Sequence, residues 1–193
     1  IACGSAEIAV RTVSPNELAD MAAGLKPEHN IGVAYTYNEP LVGYEYVRDS
    51  AILVHERGLK NVLVTNGFVN PKPLKDLLPF IDAMNIDLKG FTDEFYQKLG
   101  GRLEPVKATI ATAAKVCHVE VTTLVIPGEN DREEEMEALS SWLAGLNPGI
   151  PLHISRFFPR HLYKDKHPTP VDTVYHLAEV ARKNLKHVYT GNC

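Results

Sequence analysis

Asp87-Leu88-Lys89 places a carboxylate and an ammonium two residues apart. On a β-strand two such residues point to the same face. Side by side they can bind a zwitterion: Asp accepts from an amino or hydroxyl donor, and Lys receives a carboxylate. An ordinary ion pair at a strand end has the same spacing, and the two readings stand level on spacing alone. Lys89 could also serve as an amine nucleophile of Schiff-base chemistry. Its carboxylate neighbour argues against that, because Asp87 would raise the amine's pKa where a nucleophile needs it lowered. Other polar residues recur where apolar runs stop: Tyr37, Asn38 and Glu39; Thr65 and Asn66; Thr122 and Thr123; His153, Ser155 and Arg156; Thr190 and Asn192. Glu39 precedes Pro40, so it sits at a helix start with its side chain toward the same rim. Asn66-Gly67 alone is a common turn. His153 alone reads more readily as a satisfied core histidine, and a hydrolase using it with a carboxylate is the weakest of the catalytic readings. No histidine or carboxylate pair has zinc-ligand spacing, and no Gly-x-Ser-x-Gly is present.

The elements that must position these residues alternate in type. Ser14-Pro15-Asn16-Glu17 is a helix start with a capping box, and its helix should run to about Gly24. Ile31–Tyr35 reads as a short buried strand, followed by a helix over Leu41–Arg57 closed by Gly58. Val62–Val64 has the unbroken apolar character of a strand buried on both faces. A helix at Leu74–Phe80 leads to a strand over Ala83–Lys89. Two helices follow, one capped by Thr92 and one opened by Pro105. His118–Ile126 is β-branched and strand-like, and Asn130 or Asp131 should cap a helix to Leu146. Leu152–Arg156, a helix from Thr169-Pro170, and a strand at His187–Thr190 complete the chain. Strands separated by one or two helices predict an α/β fold with a parallel sheet. The absence of Gly-x-Gly-x-x-Gly removes the dinucleotide form of the open sheet. In α/β barrels the active site collects at the carboxyl ends of the strands, where the polar residues above fall. The Pro159–Pro170 connection is long enough for either a lid or a plain surface loop.

Bulk composition sets the outer bounds. The chain has 193 residues, 45% of them hydrophobic, and a formal net charge of −4. That suits a single domain, read over residues 1–193, with no basic excess for nucleic acid. No apolar run approaches a membrane span, and Ile1–Ala9 lacks a signal-peptide pattern. Three scattered cysteines, Cys3, Cys117 and Cys193, do not form a disulfide framework, so a reducing cytoplasm is the expected setting. A start at Ile and cysteines near both ends suggest a piece of a longer protein, truncated at both ends.

Taken in order, several segments resemble radical S-adenosylmethionine proteins related to the pyruvate formate-lyase activators. They are Tyr35–Pro40, Val64–Phe68, Asn85–Phe91, Leu103–Val106 and Val121–Gly128. Ser155–Pro159 and Tyr189–Asn192 fit the branch called AmmeMemoRadiSam system radical SAM enzymes. Single motifs are modest, but the ordered series is specific and covers nearly the whole chain. The resemblance implies a partial (β/α)6 TIM-type barrel of parallel strands with outer helices. It implies a [4Fe-4S] cluster held by a Cys-x-x-x-Cys-x-x-Cys loop, with S-adenosylmethionine on its open iron. Reductive cleavage would then give a 5′-deoxyadenosyl radical for hydrogen abstraction, in the activators from a glycine of a partner protein. By the same resemblance, Tyr37-Asn38-Glu39 stands where the family has Gly-Gly-Glu, which meets the methionine amino group. Thr65 and Asn66 match a turn beside the cofactor, and Asp87 and Lys89 match an element holding the methionine moiety. Thr122 and Thr123 belong to a strand near the adenine, and His153 and Arg156 are assigned to the same cofactor site. Cys3 aligns as the third cluster cysteine, with the first two before residue 1. Beside this oxidoreductase reading stand two others: a cluster-less, non-catalytic binding scaffold, and a Schiff-base barrel enzyme using Lys89.

Overall fold

In the computed structural model, which describes residues 11–160 and 163–193, six parallel strands form one sheet in chain order. They are β1 (Gly32–Tyr35), β2 (Lys60–Thr65), β3 (Ala83–Asp87), β4 (His118–Val125), β5 (Leu152–Arg156) and β6 (Val188–Gly191). The helices are α1 (Pro15–Gly24), α2 (Tyr44–Glu56), α3 (Pro71–Leu77), α4 (Asp93–Lys98), α5 (Leu103–Ala113), α6 (Glu133–Leu146) and α7 (Val171–Arg182). Each strand follows its neighbour by a helical crossover, and β1 and β6 are the edges among the described residues. The expected six-stranded partial barrel is borne out. Among the described residues no helix is long and apolar enough to cross a membrane.

Local sequence explains most boundaries. Ser14 caps α1 in a reciprocal box with Glu17: the Ser14 backbone N–H donates to Glu17 Oε2 at 2.8 Å. Gly58 ends α2 with φ of 69°, a conformation open to glycine without a Cβ penalty. Residues 40–43 form a separate 3-10 turn before α2, so the α-helix starts later than the sequence suggested. Thr92 caps α4 as expected. Neither Asn130 nor Asp131 caps α6; Arg132 holds that position without a side-chain bond. Asn130 is turned inward instead.

The core lies on one side of the sheet. Leu63, Met84, Ile86, Val121, Leu152 and Ile154 face the helices and pack with Ala51, Leu77, Ile110, Leu139 and Leu177. The alternate strand residues are only half-buried, and among the described residues no helix covers that face. This corrects two expectations. β2 is not buried on both faces: Asn61, Leu63 and Thr65 are buried, whereas Val62 and Val64 are partly open. β1 is a partly exposed edge rather than a buried strand. Asn61 ties this edge down. It accepts from Tyr35 Oη at 3.1 Å and donates to Ala51 O and Phe80 O at 2.9 Å each. A buried amide so fully paired joins two strands, α2 and the turn before β3.

Described residues of the connection after β5 contact the end of β4 and the loop that follows it. Thr169 Oγ1 donates to Val125 O at 2.6 Å and accepts from Phe157 N at 3.2 Å. Lys166 Nζ reaches Pro127 O and Glu129 Oε1, both at 3.0 Å. Lys166 thus ties its part of this connection to the β4–α6 loop.

Candidate functional site

One face of the sheet carries a run of half-buried polar side chains. Strand alternation puts Asn85, Asp87 and Lys89 of the β3 segment on it, with Glu120 and Thr122 of β4, His153 and Ser155 of β5, and Tyr189 of β6. Register aligns Asp87 with Thr122, Thr122 with His153, and His153 with Tyr189. These four therefore form one polar row across four strands. Lys89 Nζ lies 2.6 Å from Asp87 Oδ2, and both side chains remain open to solvent at 37% and 31%. Thr122 Oγ1 donates to Asn85 Oδ1 at 2.9 Å.

Towards the amino ends of the strands a second group continues the face. Glu120 takes His153 Nε2 on one oxygen at 2.6 Å and His118 Nε2 on the other at 3.1 Å. The hydrogen bond to His118 leads in holding the Glu120 carboxyl below its ordinary range; burial opposes it and His153 adds to it. His153 also stacks on the Tyr189 ring at 5.3 Å between centroids. His153 is thus a partnered histidine on an open face, not a core histidine. Sequence reading missed Asn85, Glu120 and Tyr189. Counting back two from Asp87 and from Thr122 would have found the first two, since each shares a face with a residue already singled out.

The Glu39 turn stands at the carboxyl end of the neighbouring strand. Glu39 Oε1 accepts from Thr65 Oγ1 at 2.7 Å and Leu41 N at 3.0 Å, and Oε2 accepts from Asn66 N at 2.7 Å. Its carboxylate braces the end of β2 and retains acceptor capacity on Oε2. Thr65 is buried, and its hydroxyl also accepts from Gly67 N at 3.1 Å, so its side chain is spent within the turn. Tyr37 and Asn38 have φ of 59° and 54°. Left-handed backbone is free for glycine and strained for Tyr, so this turn holds a conformation that favours glycine without having one.

Two expected site residues are not brought to this face. Thr123 is 2% exposed and points to the helices, because adjacent residues on a strand cannot share a face with Thr122. Arg156 follows Ser155 and is on the opposite side; its Nε donates to Thr169 O at 2.7 Å and its guanidinium covers Phe158. Cys3, the expected cluster ligand, lies outside the described residues. Cys117 is half-buried at the amino end of β4, with its thiol pushed up to about 11 by burial, and Cys193 is exposed beyond β6.

The family model of the Radical SAM superfamily matches residues 2–139. The chain belongs to the radical SAM superfamily. Over 191 residues it is 40% identical to an uncharacterized protein of Methanocaldococcus jannaschii, covering 96% of this chain and 55% of that protein. It is 30% identical over 115 residues to the pyruvate formate-lyase 1-activating enzyme of Escherichia coli, covering 58% of this chain and 47% of the enzyme. The chain spans about half the length of these curated relatives. Among solved structures, a domain of a pyruvate-formate lyase-activating enzyme from Bacteroides vulgatus matches with a TM-score of 0.70 at 18% identity, covering 83% of this chain and 99% of that domain. Streptococcus suis SuiB bound to S-adenosylmethionine matches with a TM-score of 0.73 at 13% identity, covering 97% of this chain and 46% of SuiB. At such identities the likeness is one of fold.

The radical SAM family implies S-adenosylmethionine and a [4Fe-4S] cluster. The donor set of the concave rim fits the first. An accessible carboxylate, an accessible ammonium and a braced second carboxylate match the amino and carboxylate groups of a methionine. For the cluster, no group of three or more His, Cys, Asp or Glu among the described residues could hold a metal.

Proposed function

We propose that the chain forms the core of a radical SAM oxidoreductase related to the pyruvate formate-lyase activators, and that its concave rim binds S-adenosylmethionine. The observation that carries this reading is the Asp87–Lys89 pair, 2.6 Å apart and solvent-accessible at the carboxyl end of a central strand. When bound, S-adenosylmethionine and a [4Fe-4S] cluster supply reductive cleavage to a 5′-deoxyadenosyl radical for hydrogen abstraction. The chain's own residues bind and orient. Asp87 and Glu39 Oε2 accept from the methionine ammonium, and Lys89 exchanges part of its contact with Asp87 for the methionine carboxylate. Asn66, exposed beside Glu39, borders the same position. Thr122 and His153 lie farther along the polar row and face the remainder of the cavity. The substrate class follows the activator relatives: a glycine-bearing segment of a partner protein. The concave wall formed by Glu120, His153 and Tyr189 is where such a segment would meet this chain.

Lys89 separates this reading from Schiff-base chemistry. As a cation that binds a carboxylate, it should tolerate Lys89→Arg with part of the S-adenosylmethionine affinity kept. As a nucleophile it should not, because a guanidinium forms no imine. Borohydride trapping with a panel of small carbonyl compounds, read by mass spectrometry of the Lys89 peptide, should give no adduct. A stoichiometric adduct at Lys89 would overturn the assignment.

A further inference from the structure

Beyond Leu88, whose N–H still bonds Thr122 O at 2.9 Å, the chain leaves the sheet. Lys89, Gly90 and Phe91 have no ladder to fix them. Three side chains from three other places take over that task. Lys89 N donates to Tyr96 Oη of α4 at 3.1 Å. Lys89 O accepts from Asn130 Nδ2 of the β4–α6 loop at 2.6 Å. Phe91 N donates to Glu135 Oε1 of α6 at 2.6 Å. Tyr96, Asn130 and Glu135 are 5%, 4% and 8% exposed. Gly90 lies directly on this group: a Cβ there would stand 2.6 Å from Phe95 Cδ1 and 3.1 Å from Glu135 Oε1.

Burying polar groups costs free energy unless they are paired. Glu135 Oε2 has no partner among the described residues, so this carboxylate is kept inside at a cost. Burial leads in pushing the Tyr96 phenol up to about 12, which leaves a neutral hydroxyl for Lys89 N to bond. Asn130 also accepts from Ile126 N at 2.7 Å and donates to Leu124 O at 2.9 Å, which links its loop to the end of β4. Two buried polar groups converge on the backbone of Lys89, which carries the rim ammonium, and a third holds Phe91 two residues on.

We propose that Tyr96, Asn130 and Glu135 are positioning residues that clamp the Lys89–Phe91 backbone and so hold the Lys89 ammonium beside Asp87 to receive the methionine carboxylate. This rests on the S-adenosylmethionine reading above. The clamp touches no cofactor; it acts through Lys89.

The test is a double-mutant cycle on the cluster-loaded protein, with S-adenosylmethionine affinity measured by calorimetry and folding checked by thermal melts. Tyr96→Phe removes only the hydroxyl and should weaken binding about three- to tenfold. Lys89→Met should weaken it more, and the double variant should bind no worse than Lys89→Met. A purely structural hydroxyl would instead weaken both backgrounds alike, and that result overturns the clamp. So does unchanged affinity in Tyr96→Phe. Unchanged affinity in Lys89→Met would overturn the reading of Lys89 itself, and the clamp with it. A second pair gives an independent check. Glu135→Gln keeps a carbonyl acceptor for Phe91 N and should bind more tightly than Glu135→Ala; equal affinities of the two would also overturn the clamp.

Discussion

Asp87→Ala should weaken S-adenosylmethionine binding to the cluster-loaded protein about ten- to a hundredfold, the equivalent of one lost charge-assisted hydrogen bond. Two effects oppose each other in this variant. The ammonium of the ligand loses an acceptor, worth about 1.5–3 kcal/mol. Lys89 is released from its 2.6 Å contact with Asp87 and becomes freer to meet the carboxylate. That second effect is the smaller, since pairs this exposed contribute up to about 1 kcal/mol. The net result is a loss. Asp87→Asn keeps an oxygen acceptor without the charge and should fall between. Calorimetry decides, and an affinity unchanged in Asp87→Ala would remove Asp87 from the site. Glu39→Ala is a less discriminating probe: it also unties Thr65, Asn66 and Leu41, so turn stability and ligand contact change together.

Gly67→Val should destabilise the fold by about 2–5 kcal/mol, or roughly 5–15 °C in melting temperature for a chain of this size. Gly67 has φ of 72°, where a side chain costs about 1–2 kcal/mol. A Cβ there would also stand 2.7 Å from Ile86 Cγ2 and 3.2 Å from Val106 Cγ1. Ile86 is fully buried and has nowhere to move, so overpacking adds about 1–3 kcal/mol. Gly128 supplies the contrast. Its φ is 74°, but no atom lies within 4 Å of its added Cβ. Gly128→Ala should therefore cost only the backbone part, about 1 kcal/mol. Equal losses of melting temperature at the two positions would show that the Ile86 contact is not what demands glycine after Asn66.

Much of this architecture is legible in the sequence because its signals are local. The Ser14 box, Gly58 after α2 and Thr92 before α4 each satisfy a helix end with a residue a few positions away. The apolar runs of β2 and β4 mark strands for the same reason. What the sequence does not disclose is which side of each strand is covered. Val62 and Val64 look as apolar as Leu63, yet only Leu63 meets the helices. Thr122 and Thr123 are chemically alike, and strand geometry sends one to the cavity and the other to the core. Long-range partners are hidden in the same way. Asn130 has the form of a helix cap, but its amide is more valuable inside, where it joins Lys89, Leu124 and Ile126. Glu120 stands in the middle of a β-branched run, and only β5 brings His153 within 2.6 Å of it. Lys166 in the Pro159–Pro170 connection gives no hint that it closes on Glu129.

The site proposed on this face runs from the Glu39 turn through Asp87 and Lys89 to Glu120 and His153. Family membership and fold are established by the match over residues 2–139 and by the six-stranded partial barrel. The central claim is that this face serves reductive cleavage of S-adenosylmethionine. It is tested most directly by incubating the anaerobic, cluster-loaded protein with S-adenosylmethionine and dithionite and quantifying nucleosides by chromatography and mass spectrometry. Release of 5′-deoxyadenosine and methionine in equal amounts is expected, strongly reduced in Asp87→Ala. A protein with a full, reducible cluster spectrum that leaves S-adenosylmethionine intact would contradict it.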